Sequence, residues 1–269
     1  MLMNDKTPSI LSQIEAKVRQ RLHKRMRIAT LSGIKSRVDD TDRIPLSLKQ
    51  AILSTSTRYP IIAEVKRASP SQGDIAMDVN PIEIASQYIE NQASAISVLT
   101  EEDFFQGSLK YLEQIKLHYP DACVLQKDFL IDEYQLYEAK MLGADAILII
   151  MALTGHEKAK ILYQLAKELS LSALVEIHDE KELTWALDID ADIIGINSRN
   201  LKNFSVSHDS VINLAKQIPG EKLIIAESGI KLTSDLETLS QAGCHGFLVG
   251  TQLMREKRPG QALRNLIHG

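Results

Sequence analysis

The sequence sets ionisable side chains at the ends of short apolar runs, where a proton-transfer site would need them. The run IIAEV is followed at once by Lys66, so Glu64 and Lys66 stand two residues apart and share one face of an extended strand. After an apolar lead, that face is the buried one, and a buried carboxylate and ammonium must be paired or put to use. The run ACVLQ leads into Lys127 and Asp128, and Lys127 shares parity with Cys123 and Leu125. A lysine that sheds part of its hydration there is expected to have a lowered pKa and to serve as an acid near neutral pH. Glu176 lies inside the run LVEI, which predicts a raised pKa and general-base duty. His178, just beyond it, reads as a surface histidine.

Asn197 and Arg199 close the run DIIGIN. A carboxamide and a guanidinium at one strand end suit a planar carboxylate or sugar hydroxyls, and Asn and Ser equally suit a turn. Glu227-Ser228-Gly229 and Gly250-Thr251 end the last two runs. Their glycines let backbone N–H groups come close to an anion. Glu64, Glu176 and Glu227 set against Lys66, Lys127 and Arg199 keep such a site near neutrality and hold the pKa values of neighbours apart.

The elements that must carry these residues recur along the chain. Short apolar, β-branched runs begin at Ile61, Ser94, Ala122, Asp145, Ser172, Asp192, Lys222 and Gly246. Near-continuous apolar runs of this length fit parallel strands covered on both faces. Amphipathic stretches lie between them. Asn80-Pro81, Asp132, His156, Asp179 and Thr233 mark helix starts, and Gly243 marks a helix end. Eight such units predict an α/β fold, a closed (β/α)8 TIM barrel, because the Gly-rich phosphate loop of an open doubly wound sheet is missing. In a barrel, residues at the C-terminal strand ends share one mouth, and the last two strands hold the common phosphate site. The polar segment 67–73 reads as a lid. Before the first strand, Thr7-Pro8 reads as a helix cap. Leu11, Ile14, Val18, Leu22 and Met26 then form an apolar stripe opposite Lys17, Arg19, Arg21 and Lys24. The stripe is expected to pack on the barrel with the basic face in water; a basic rim facing substrate is the alternative. A shorter helix is expected over 46–54. The domain reading is a single barrel over 1–269, with 1–59 a helical extension covering the mouth.

Composition narrows the function. The 269 residues carry 31 Lys and Arg against 35 Asp and Glu, a net charge of −4, so no global basic field invites nucleic acid. Two cysteines give neither a disulfide framework nor a metal cluster, and no metal is expected. Cys123 reads as core packing well below the mouth. The longest apolar stretch, 146–153, is far too short for a membrane helix, and the start lacks a signal-peptide core. The expectation is a cytoplasmic protein acting on a phosphorylated small molecule, with neither nucleic acid nor membrane as partner, as a monomer or weak homodimer.

The segment IIAEVKRASPSQGDI at 61–75 closely resembles the first-strand motif of the indole-3-glycerol phosphate synthase family. The resemblance continues in order through SVLTEEDFFQGS, LQKDFLID, LVEIHDEKEL, IIGINSRNL, AESGI and GFLVGTQLM. It implies a decarboxylating lyase of tryptophan biosynthesis that turns 1-(2-carboxyphenylamino)-1-deoxyribulose 5-phosphate into indole-3-glycerol phosphate, CO2 and water, with no cofactor. It implies Lys127 as the acid at the keto oxygen, and Glu176, Lys66 and Glu64 as the acid and base groups of dehydration. Asn197 and Arg199 would orient the substrate, Glu227 would hydrogen-bond or hold a lysine, and Ser69 would sit in the lid. Ser228, Gly229, Gly250 and Thr251 would hold the phosphate, so Gly250→Val is expected mainly to raise KM. Ser198 and Gln72 depart from the family's usual Asn and Lys. Glu227 has the parity opposite to Ala226 and Ser228, so its inward pointing is expected to need a twist or bulge. With the last helix, QALRNLIH, close to the end of the sequence, no fused partner domain is expected. The rival readings are phosphoribosylanthranilate isomerase, which would need a Cys/Asp pair, and a non-catalytic barrel that only binds a phosphorylated ligand.

Overall fold

Eight runs that are apolar on both faces need two cores, and the chain builds both. The computed structural model describes residues 9–200 and 204–269. Its strands are β1 (Ile61–Val65), β2 (Ala95–Leu99), β3 (Val124–Lys127), β4 (Ala146–Ile150), β5 (Ser172–Ile177), β6 (Ile193–Asn197), β7 (Leu223–Glu227) and β8 (Gly246–Val249). They form a closed, all-parallel barrel in chain order, with β8 pairing back onto β1. This is the (β/α)8 barrel the sequence predicts. Alternate residues such as Ile62, Leu125, Leu148, Leu174, Ile225 and Leu248 fill the interior. The intervening ones, such as Ala63, Val124, Val175 and Ala226, pack outward under the helices.

This alternation carries the polar residues inward. Glu64, Lys127, Glu176 and Glu227 each lie two residues beyond an interior apolar side chain, Ile62, Leu125, Leu174 and Ile225 respectively. Glu227 therefore needs no twist or bulge. The expectation of one came from taking Ala226 as interior, whereas Ala226 belongs to the outer core.

Each helix start has a local cause. The Asn80 side chain accepts the Ile82 N–H at the start of α4 (Pro81–Glu90), where Pro81 pre-sets the first φ. Asp132 accepts from Tyr134 ahead of α6 (Glu133–Met141), and Asp179 from Glu182 ahead of α8 (Glu180–Asp188). In α7 (Met151–Glu168), Gly155 has φ 65° and ψ 177°, so the regular helix starts at His156 after one separate turn. In α10 (Thr233–Gln241) the cap is Leu232 rather than a later residue, because Asp235 accepts its N–H at 2.9 Å.

The extension does not lie over the mouth as a whole. Helix α1 (Ile10–Ile28) is capped by Ser9, and the expected Thr7-Pro8 cap lies outside the described residues. Ile14, Val18 and Leu22 are buried, as the stripe predicts. The basic face is only partly in water, since Arg21 pairs with Glu101 and Asp103, and Arg25 with Glu138. Helix α2 (Leu31–Asp39), which no cap-and-stripe reading anticipated, packs against α6. Helix α3 (Leu48–Leu53) closes the opposite end of the barrel, with Leu48 and Ile52 in the interior core. Asp145, just before β4, fastens that end. It accepts from Lys116 Nζ at 2.6 Å, Arg43 Nη1 at 2.7 Å, and the N–H groups of Val124 and Leu46 at 2.9 Å. No helix among the described residues is long and apolar enough to cross a membrane.

Asp145→Ala leaves the Lys116 ammonium buried and unpaired. The expected loss is about 3–5 kcal/mol, measured as a lower urea midpoint, with KM unchanged in the folded fraction. A loss under about 1 kcal/mol contradicts the role given to this carboxylate.

Candidate active site

One cavity of about 770 Å3 opens at the C-terminal ends of the strands. Every site residue singled out from the sequence lines it: Glu64, Lys66, Ser69, Lys127, Glu176, Asn197, Arg199, Glu227, Ser228, Gly229, Gly250 and Thr251. At its floor, Lys127 Nζ lies 3.2 Å from Glu176 Oε2 and 3.3 Å from Glu227 Oε2. Lys66 Nζ lies 2.5 Å from Glu64 Oε1.

Two glycines make this packing of charge possible. A Cβ on Gly195 would stand 2.1 Å from Glu227 Oε1, and one on Gly250 would stand 2.2 Å from Glu64 Oε1. Each glycine thus leaves the volume that a carboxylate fills. A side chain at either position would have to displace that carboxylate.

The charge states differ from what the sequence suggested. Burial works against the Lys127 charge, but Glu227, Glu176 and Glu64 outweigh it and its pKa is raised, not lowered. Burial pushes Glu176 upward, yet Lys127, His178 and the Asn197 side chain outweigh that and hold its pKa below the ordinary value. The raised carboxyl is Glu227, pushed up to about 8 by burial and by Glu176, against the pull of Lys127. Around neutral pH the floor therefore holds a charged Lys127 and a Glu176–Glu227 pair that keeps one proton, which burial favours on Glu227. Sequence order could not reveal this, because the groups meet from β3, β5 and β7.

The walls are specialised. Ile10, Leu11 and Ile14 of α1 line one side with Phe105 and Phe129, whose rings sit 5.8 Å apart. So α1 offers the cavity an apolar face, not the basic rim weighed above. The sequence reading missed this wall, since loop aromatics leave no periodic signal. Glu101 sets Phe105 in place by accepting the N–H groups of Asp103, Phe104 and Phe105 and the Arg21 guanidinium. The lid forms a small ribbon between Ala68–Ser69 and Gly73–Asp74, and Gln72 accepts from Arg255 across the cavity. Ser69 is buried with its hydroxyl unpartnered. Opposite, Ser228 and Gly229 both take positive φ, 68° and 75°, and Ser198 Oγ donates to the Ser228 carbonyl at 3.0 Å. Arg199 is held by its Nη1 donating to the Phe204 carbonyl at 3.2 Å. His178 is not the surface histidine expected, for its ring is largely buried between Glu176 and Glu182. Among the described residues, no group of three or more His, Cys, Asp or Glu side chains could hold a metal ion.

The family model for indole-3-glycerol phosphate synthase matches residues 11–266. The chain belongs to the indole-3-glycerol phosphate synthase family. It is 46% identical over 223 residues to the indole-3-glycerol phosphate synthase of Campylobacter jejuni serotype O:6, covering 83% of this chain and 86% of that one. It is 40% identical over 266 residues to that of Variovorax paradoxus, covering 96% and 99%. It is 41% identical over 256 residues to that of Acetivibrio thermocellus, covering 95% and 98%. Among solved structures, 3-hexulose-6-phosphate synthase from Salmonella typhimurium superposes with a TM-score of 0.63 at 15% identity, over 77% of this chain and 96% of that chain. That likeness shows the barrel fold alone. The activity of an indole-3-glycerol phosphate synthase is that of a decarboxylating lyase of tryptophan biosynthesis, and the isomerase reading falls away. Both free cysteines, Cys123 and Cys244, are buried, and burial pushes both thiols up to about 12. Cys123 lies at the base of the barrel among Ala95, Leu125 and Leu223, far from acid–base duty.

Two outcomes follow for this cavity. Gly250→Val drives a side chain into the Glu64 carboxylate, so kcat falls together with any rise in KM. A rise in KM alone, as the sequence suggested, would contradict the clash. The second concerns pH. Glu227 has a folded pKa of about 8 against an ordinary 4.5. The folded state then binds more protons between those values, so this group's stabilising contribution is complete below pH 4.5 and is lost as pH rises toward 8. Glu227→Gln removes that dependence. Urea midpoints of the variant should gain on the wild type as pH climbs through this window, and parallel profiles would refute the assignment.

Proposed function

We propose that the floor of this cavity carries out ring closure, decarboxylation and dehydration of 1-(2-carboxyphenylamino)-1-deoxyribulose 5-phosphate, with Lys127 as the proton donor to the keto oxygen. The observation that carries the assignment is an ammonium kept charged between the Glu176 and Glu227 carboxyl groups at the bottom of the pocket. The aromatic carbon bearing the carboxylate attacks the keto carbon. The keto oxygen takes a proton from Lys127, and the bond to the carboxylate then breaks, releasing CO2 and restoring the ring. Protonated Glu227, 3.3 Å from Lys127, can return the proton.

Dehydration needs an acid for the departing hydroxyl and a base for the proton lost from the adjoining methylene carbon. Lys66, fixed by Glu64 at 2.5 Å, is assigned as the acid. Glu176, the ionised carboxylate beside Lys127, is assigned as the base. The apolar wall of Leu11, Phe105 and Phe129 suits the aromatic ring, and Arg199 with Asn197 suits its carboxylate and the sugar hydroxyls. The unpartnered Ser69 hydroxyl has a bond to give the substrate. Ser228, Gly229, Gly250 and Thr251 are assigned to the phosphate, whose anchoring lets the flexible sugar bend at lower entropic cost.

The purified protein given this substrate should produce indole fluorescence, and Lys127→Ala should lower kcat by about 10²–10⁴-fold. A wild type without signal, or a Lys127→Ala variant of wild-type rate, overturns the assignment.

A further inference from the structure

The chemistry above gives no task to a largely buried histidine at the edge of the site. His178 follows β5, two residues past Glu176. Its Nδ1 lies 3.1 Å from Glu182 Oε2, and its Nε2 lies 3.4 Å from Glu176 Oε1. The first is a hydrogen bond, and the second is a charge contact. Glu182 cannot drift away. It sits in the first turn of α8, where its own N–H donates to Asp179 Oδ1 at 2.9 Å, and its Oε2 also accepts the His178 backbone N–H at 2.8 Å.

A neutral imidazole has one N–H and one lone pair. Here both ring nitrogens face carboxylate oxygens. A neutral ring bonded to Glu182 through Nδ1–H would turn its lone pair on the Glu176 anion. Nε2 makes no hydrogen bond, and a proton there presents positive charge to the Glu176 anion where a lone pair would repel it. Glu176 then has a cation at each oxygen, the His178 ring in charge contact 3.4 Å from Oε1 and Lys127 hydrogen-bonded to Oε2 at 3.2 Å. We propose that His178 is a positioning residue: its imidazolium, fixed by Glu182, holds Glu176 ionised and turned toward the reacting centre. The inference rests on the assignment of Glu176 as the dehydration base.

Direction with pH follows from the groups around the ring. Glu176 faces it from β5, Glu182 from α8 and Glu227 from β7. Burial opposes the charge, but Glu182, Glu176 and Glu227 outweigh it and raise the histidine pKa. The ring is charged below that raised value. As pH rises through it, the charge is lost and Glu176 loses one of its two cations.

The test compares kcat–pH profiles of wild type, His178→Gln, Glu182→Gln and Glu176→Gln. His178→Gln keeps a donor but removes the charge. The expected result is an acid limb moved up by about one pH unit, with kcat lowered about tenfold at pH values below both limbs, unchanged above them, and KM within about twofold. Glu182→Gln should move the limb the same way by a smaller amount, and it carries the test if the His178 variant does not fold. If Glu176→Gln abolishes turnover while the His178 and Glu182 variants keep the wild-type acid limb, the inference is overturned and the base assignment stands. If Glu176→Gln turns over at the wild-type rate, the base assignment itself fails and the inference falls with it.

Discussion

An ammonium buried between two glutamate carboxyl groups, one of them ionised, is the constraint around which this barrel is arranged. Lys127 reaches the centre from one strand, and its partners arrive from two others across the interior. Removing such charges from water is costly unless each meets an opposite charge or a donor. The barrel answers with a closed set. Glu176 has Lys127, His178 and Asn197, Glu227 keeps a proton, and Glu64 has Lys66. Gly195 and Gly250 supply the volume that these carboxylates occupy. Backbone choice and charge state are thus one problem at this floor: a methyl group in the wrong place would expel a carboxylate, and a lost carboxylate would leave an ammonium uncompensated.

The same dependence explains what was legible in the amino-acid sequence. Strand number and order were readable because every strand is buried on both faces, which writes long apolar runs. The site residues were readable because they stand at the ends of those runs. The protonation states were not. Lys127 was expected to lose basicity and Glu176 to gain it, on burial alone. Each shift runs the other way, because neighbours on other strands outweigh burial. For Glu227, parity was counted from the wrong core, a choice that a strand apolar on both faces leaves open. The burial of His178 was hidden for a related reason. Its partner Glu182 lies four residues on, but its second partner, Glu176, turns toward it only because the barrel directs that side chain inward.

The N-terminal extension shows how one stretch of chain can serve two ends of a barrel. Helix α1 brings apolar side chains to the mouth, and its Arg21 reaches Glu101, the carboxylate that orders the loop carrying Phe105. The recognition wall therefore depends on an ion pair formed outside the cavity. Helix α3 has no part in that wall and completes the interior core from below. Amphipathic periodicity identified both as helices without saying which opening each would cover, because a stripe declares that it must be buried and not where.

The fastening of α3 also bears on the order in which the molecule can assemble. Its flanking residues are tied to Asp145 through Arg43 and Leu46, separations of 102 and 99 residues, and Leu48 is tied to Ser172, a separation of 124. A chain leaving the ribosome exposes this helix long before its anchors exist. The apolar face of Leu48 and Ile52 must wait, unburied, until half the barrel has been made, and contacts this distant in sequence are slow to close. A segment translated among the first is thus held by residues translated a hundred positions or more later.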